Sequence, residues 1–269
     1  TKFQKDRVLK YISFFEKEIQ NSNEIEKQIL LSLTASLYQE YYIENRYKIN
    51  SRNTLENYKN DDVSTWDALS FENKIKSLYL QSIENKSFLK EVPLEEYSLV
   101  LNEGESSDFK LFPTLYDLLA NRCIFYLTNN QDIIPLKNIN IETGLSTTDE
   151  FLKSSLTNDT LNSDEKIIAE LFKDLIGFHL ERNNIDALID IELRRLNYYK
   201  QKANSSAYYD DKYLKSLFKL KSDYKDNSAS VKISYEIGSI YEHYGNQYDR
   251  LEGEKNRWYL AKAIEVYKE

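Results

Sequence analysis

Glycine and proline are scarce in this chain, six and three in 269 residues. Folds with many tight turns, and nucleotide-binding folds with Gly-rich loops, draw heavily on these residues. All-β and phosphate-loop architectures are therefore disfavoured and long helices are expected. Cysteine occurs once, at Cys123, which excludes an intrachain disulfide and leaves the compartment open. The two histidines, His179 and His243, have no second His or Cys at zinc-ligand spacing. Ile176 and Ile240 stand three residues before them, where a di-metal bundle carries Glu. Methionine is absent, so every spacing argument rests on the other apolar residues. No apolar run approaches the roughly eighteen residues of a membrane-spanning helix. Lys plus Arg number 36 against 44 Asp plus Glu, and the net charge of -8 repels polyanions, so nucleic acid is not an expected partner. The chain opens on Thr1-Lys2-Phe3-Gln4 rather than Met, as a processed form or an excised fragment would.

What is present is helical periodicity. Phe3 to Ile19 and Glu24 to Tyr42 read as a helical hairpin across the polar corner Asn21-Ser22-Asn23. In the second of these, Leu30, Leu33, Leu37 and Tyr41 form an apolar stripe widened by Tyr38 and Tyr42, and Asn45-Arg46 ends the periodic segment. Ser70 is placed to cap a helix over Phe71 to Ile83. Pro93 and Pro113 are each placed at the first position of helices running to Leu101 and Leu127. The interval 129–162 holds Pro135, Gly144 and the polar runs Ser146-Thr147-Thr148-Asp149 and Thr157-Asn158-Asp159-Thr160. It reads as an irregular linker with at most a short helix around Glu150 to Ser155, dividing an N-terminal helical subdomain, 1–128, from a C-terminal helix-pair subdomain, 163–269.

After the linker the helices pair regularly. Ser163 caps a helix with the apolar face Ile167, Leu171, Leu175 and Phe178, and Asn183-Asn184 ends it. Ile185 to Tyr199 returns with Leu188, Ile189, Ile191 and Leu196 inward, and Tyr209 to Tyr224 pairs with Ser228 to Tyr244. Gly238, Tyr241 and Gly245 have the spacing of the first helix and turn of a tetratricopeptide repeat, with Ala263, Ile264 and Tyr267 as its second helix. Ala263 comes eighteen residues after Gly245 (263 − 245), where an ideal repeat places it about five after, so the repeat is degenerate and a further stacking helix is expected to follow. The fold class is all-α, built of antiparallel helix hairpins in an α-solenoid or tetratricopeptide-like arrangement.

Chemistry is sparse. No Gly-x-Ser-x-Gly, phosphate loop or His-Glu-x-x-His occurs. Cys123, between Arg122 and Ile124, reads as a small buried hydrophobe rather than a nucleophile. The acid pairs Asp61-Asp62, Glu95-Glu96, Asp210-Asp211 and Glu40 with Glu44 fit caps and exposed faces better than a glycosidase cleft. Twenty-two tyrosines include the doublets Tyr41-Tyr42, Tyr198-Tyr199 and Tyr208-Tyr209, each expected to pack one ring and send the other to the surface or a helix seam. Trp66 and Trp258 are expected to anchor their polar loops. No catalytic residue, cofactor or metal is assigned, and the binding residues are left open.

Four segments in register point further. The order is LxSLxAxLYxxYYxxNR from Leu30, with Arg52-Asn53-Thr54 behind it, then Asp61-Asp62 with Thr65-Trp66-Asp67, then a leucine-rich helix, then LFPTLYDLLANR from Leu111 to Arg122. Together they resemble the N-terminal helical region of Bacteroidetes alpha-2-macroglobulin-like proteins; GFH at Gly177 to His179 and ALIDIEL at Ala187 to Leu193 add to the likeness. That resemblance implies a non-catalytic interaction or spacer region of a large periplasmic or cell-envelope protein that inhibits or traps proteases. Its partners would be another protein or downstream domains of the same chain. The alternative is a stand-alone tetratricopeptide-like scaffold that binds a protein, peptide or glycan; an enzyme on a helical scaffold ranks last.

Overall fold

A computed structural model describes residues 2–52, 62–97, 108–129, 139–155, 163–203 and 207–268. Among them are thirteen α-helices and no strand, so the chain is all-α. Two compact units divide at Thr1–Pro135 and Leu136–Glu269. No helix among the described residues is long and apolar enough to cross a membrane.

The first unit contains α1 (Lys2–Ile19), α2 (Glu24–Asn50), α3 (Ala68–Gln81), α4 (Lys86–Leu89), α5 (Asp108–Leu111) and α6 (Leu115–Asn129). Asn23 starts α2 with a reciprocal cap: its side chain accepts from Glu26 N at 3.0 Å while the Glu26 carboxylate accepts from Asn23 N at 3.3 Å. α2 runs on past Asn45-Arg46 to Asn50, because the Asn45 amide is turned back onto the Tyr41 carbonyl at 2.8 Å and Ile49 is buried beyond it. The buried face of α2 is also rotated from the expected stripe. Leu31, Ser32, Thr34, Ala35, Tyr38 and Tyr42 face inward while Leu33 is exposed. Small hydroxyl residues fit such a face once satisfied locally, and Thr34 donates to the Leu30 carbonyl at 2.7 Å.

The joint into α3 explains the Asp-Asp and Thr-Trp-Asp pattern. Asp62 accepts from Ser64 N at 2.9 Å, opening a 3-10 turn, and Asp67, not Ser70, caps α3 by accepting from Ser70 N at 2.8 Å. Arg52 donates to the carbonyls of Ser64, at 2.7 Å, and Trp66. Trp66 then stacks on Tyr38 with ring centroids 5.5 Å apart and planes 2° from parallel. Pro93 does not open an α-helix. Leu94 N donates to Pro113 O at 3.1 Å and Leu115 N to Val92 O at 2.9 Å, so residues 92–94 run extended beside 113–115 before a 3-10 turn at Leu94–Tyr97. Residues 98–101 of that expected helix lie outside the described residues. α6 begins at Leu115, two residues after Pro113, where Thr114 N and Oγ1 both donate to Asp117 at 2.9 and 2.7 Å.

The second unit contains α7 (Ile141–Gly144), α8 (Thr148–Lys153), α9 (Ser163–Arg182), α10 (Ile185–Lys202), α11 (Ala207–Asp223), α12 (Ser230–Asn246) and α13 (Tyr259–Lys268). The expected linker 129–162 therefore carries structure where it is described. The run Ser146-Thr147-Thr148-Asp149 holds a cap, since Thr147 forms a capping box with Glu150, and ahead of it Asn140 accepts from Thr143 N at 3.1 Å. Leu145 and Phe151 between those caps are fully buried. Residues 130–138 and 156–162 lie outside the described residues. Successive helices pair as hairpins, α9 with α10 across Asn183, whose φ of 54° gives the reversal, then α11 with α12 and α12 with α13.

One buried cation fastens the α7–α8 segment to α10. Arg195, 1% exposed, donates through Nη1 to the carbonyls of Gly144 and Ser146 at 2.6 and 3.0 Å. Through Nε and Nη2 it meets Glu192 Oε2 at 2.7 and 2.5 Å, and it lies 4.5 Å above the Phe151 ring. Gly144 abuts the Tyr199 ring so closely that no Cβ fits between them. Arg195→Ala leaves the Glu192 carboxylate buried without its cation and is expected to destabilise the second unit by about 3–5 kcal/mol, read as a loss of denaturation midpoint by circular dichroism.

Candidate functional site

The residues singled out for chemistry are dispersed. Cys123 is fully buried in α6, and burial pushes its thiol up to about 12, far from a reactive thiolate. His179 is buried on α9 beside the Phe178 ring, while His243 is exposed on α12 with its Nε2 2.9 Å from Gln247 Nε2. No group of three or more His, Cys, Asp or Glu suited to a metal ion occurs among the described residues. Asp62 is a cap, and Asp61 lies outside the described residues. Glu40 and Glu44 are exposed on α2, and Glu95 and Glu96 are exposed in the 3-10 turn. Asp210 is held by Lys200 and Tyr244, and Asp211 is exposed.

The segments that carry the family resemblance meet inside the first unit. Arg122, at the end of LFPTLYDLLANR, donates to Ser32 Oγ at 2.8 Å and Ser36 Oγ at 2.5 Å, both in the LxSLxAxLY segment. Tyr79 of α3 shares Ser36 at 3.1 Å. The described residues of these segments thus tie α2, α3 and α6 together.

Two surfaces of the second unit are shaped for contact. The first is an apolar strip on the α12–α13 hairpin. Gly245 lets α13 approach so closely that a Cβ there would lie 2.7 Å from Leu260 N, and Gly238 is covered by the Tyr267 ring. Leu260, Ile264 and Tyr267 recur at helical spacing with 44, 54 and 44% exposure. Tyr235 of α12 lies 6.1 Å from Tyr267. Exposed Val231 precedes Tyr235 by one turn.

The second surface is a cleft of about 340 Å³ between α7, α8 and α11, lined by Glu142, Glu150, Lys212 and Lys215 above Leu145 and Ser216. Tyr208 donates to Glu142 Oε1 at 2.6 Å, and Lys212 lies 5.1 Å over the Tyr208 ring. Hydrogen bonds from the Thr147 main chain and hydroxyl hold Glu150 below the usual carboxylate range, and the hydrogen bond with Tyr208 raises Lys212 above the usual ammonium range, so both stay charged at neutral pH. No protein-family model, curated protein or solved structure matches the chain.

Sequence reasoning missed the buried charges. Glu192 and Arg195 are three apart within IELRRL, and with Leu188 and Tyr199 they fall on one face of α10 at i, i+4, i+7 and i+11. That spacing was the available signal. Both rings of the doublet Tyr198-Tyr199 are buried, rather than one, because a buried carboxylate awaits them: Glu165 accepts from Tyr199 at 2.6 Å and from Tyr198 at 3.2 Å. Tyr41 and Tyr42 are likewise both buried. Trp66 anchors its loop as expected, but Trp258 is 63% exposed with Arg257 over its ring at 4.9 Å, so it does not.

Two outcomes follow from these environments. Cys123 is expected to resist a thiol reagent in the native chain and to react at the rate of a free thiol only on unfolding, as followed by absorbance. Burial raises the Glu165 carboxyl above its ordinary 4.5, with the tyrosine hydrogen bonds and Lys202 offsetting part of the rise. A raised folded value means that its contribution is fully present below pH 4.5 and is lost as pH rises through the folded value. Glu165→Gln is therefore expected to gain stability relative to the parent chain as pH rises from 4.5 to neutrality, measured as the difference between their urea midpoints.

Proposed function

We propose that this chain is the non-catalytic helical interaction and spacer region of a large alpha-2-macroglobulin-like protein of the bacterial cell envelope. The whole protein would inhibit or trap proteases, with this region contributing docking and spacing. The single observation that carries the interaction role is the α12–α13 hairpin, whose glycines seat one helix against the next while Val231, Tyr235, Leu260, Ile264 and Tyr267 present apolar surface outward. That is the face on which a tetratricopeptide-like stack receives its next hairpin, because each repeat buries its apolar face only against a neighbour. The family reading itself is supported by the four resembling segments, whose residues depend on one another for packing.

A stand-alone tetratricopeptide-like scaffold is the second reading, and the same exposed aromatic strip favours it, since Tyr side chains suit peptide or glycan contact. The mass of the native polypeptide, with sequencing of peptides beyond Glu269, separates the two. A chain that continues into repeated β-sandwich domains is the expected result. One that ends within a further helix or two overturns the macroglobulin reading in favour of the scaffold.

A further inference from the structure

The ion pairs that cross the α7–α8–α11 cleft are longer than other pairs of the same unit, including Lys232 with Asp190 at 3.5 Å. Arg194 meets Asp190 at 2.6 Å and Arg195 meets Glu192 at 2.5 Å. Lys200 on α10 is in direct contact with Asp210 on α11, so a pair between helices also closes when nothing need lie between its members. Across the cleft, Lys212 stands 4.0 Å from Glu142 and Lys215 3.9 Å from Glu150. In both pairs the members stand beyond hydrogen-bonding distance of each other, so each keeps capacity for a ligand group.

The three serine hydroxyls of the cleft are already committed as donors. Ser146 donates to the Thr143 carbonyl, Ser154 to the Phe151 carbonyl and Ser216 to the Leu145 carbonyl, at 2.7, 2.6 and 2.7 Å. A sugar or other polyol would find these three donors spent. Most of the remaining hydrogen-bonding capacity resides in two ammonium and two carboxylate groups, each with sites left beyond its bond to Tyr208 or Thr147, and these balance in charge, so neither a polyanion nor a polycation is favoured. The cavity, about 340 Å³, is at the lower end of the range for small-molecule sites.

From these observations we infer that the cleft binds a small zwitterion of the α-amino acid or dipeptide class. Its carboxylate is taken by Lys212 and Lys215 from α11, and its ammonium by Glu142 and Glu150 from α7 and α8. The site stands apart from the apolar strip of α12–α13 and does not depend on the macroglobulin reading. Because Lys215 and Glu150 are largely exposed, binding is expected to be weak, with Kd on the order of 1 mM.

The test is a heteronuclear NMR titration of the whole chain with glycyl-leucine, its N-acetyl form and its C-terminal amide. Saturable shifts confined to residues 139–155 and 207–218 are expected for the free dipeptide, with about fivefold weaker binding when either terminus is blocked. Lys215→Gln and Glu150→Gln, the second of which retains an acceptor for the Thr147 cap, should each weaken binding to a similar degree while leaving the circular dichroism spectrum unchanged. Absence of saturation up to about 10 mM, or equal binding of blocked and free dipeptides, overturns the assignment.

Discussion

The second unit depends on the Arg195 guanidinium more than on any other single group. Four hydrogen-bond or ion-pair contacts leave it, to two main-chain carbonyls of the α7–α8 joint and to Glu192, and its flat face covers Phe151. A buried cation is costly unless every donor finds an acceptor, and the C-terminal carbonyl of α7 is one of the groups a helix end leaves unsatisfied. The arginine and the helix end therefore answer each other's deficit. Lys173 repeats the device from α9, donating to the Leu152 and Ser154 carbonyls at 3.3 and 2.5 Å at the end of α8. Phe151 is consequently held between two cations, 4.5 Å from Arg195 and 5.4 Å from Lys173.

With α7 and α8 fixed in this way, α11 can close against them, and Ser216 bonds the Leu145 carbonyl at 2.7 Å. The cleft lined by Glu142, Glu150, Lys212 and Lys215 is the space left where that closure is incomplete. Farther along, spacing between helices is set by glycine rather than by charge. Gly238 and Gly245 bring α13 onto α12 beneath Tyr267 and Leu260, whose outer sides join Ile264 in the exposed strip. Burial is thus achieved by two unlike means in one unit, a satisfied ion near α10 and close backbone approach at α12.

The helices themselves were legible in the sequence because their signals are local. Scarce glycine and proline, the Asn21-Ser22-Asn23 corner and Asn183 each act within a turn or two of where they stand. The misreadings came where a distant partner decides the outcome. The α2 stripe reads as Leu30, Leu33, Leu37 and Tyr41, yet Arg122, some ninety residues on, bonds Ser32 and Ser36 and draws a face with the buried Ser32 inward. Pro93 read as a helix start because its pairing with 113–115 is non-local. Residues 139–155 read as a loop with at most a short helix around Glu150 to Ser155, because the groups packed on this segment, Lys173, Arg195, Tyr199 and Ser216, come from α9, α10 and α11. No periodicity announces a cleft either, since its four charged residues come from three helices and two of those are shorter than two turns.

Residues 139–155 are an integral part of the second unit and not a tether. Native-state hydrogen exchange of the whole chain, followed by peptide mass spectrometry, tests this most directly. Main-chain amides of Thr143 to Leu145 and of Phe151 are predicted to exchange as slowly as those of mid-α10, opening only with the unit as a whole. Exchange of that segment at the rate of an unstructured peptide, while α10 stays protected, would contradict the claim.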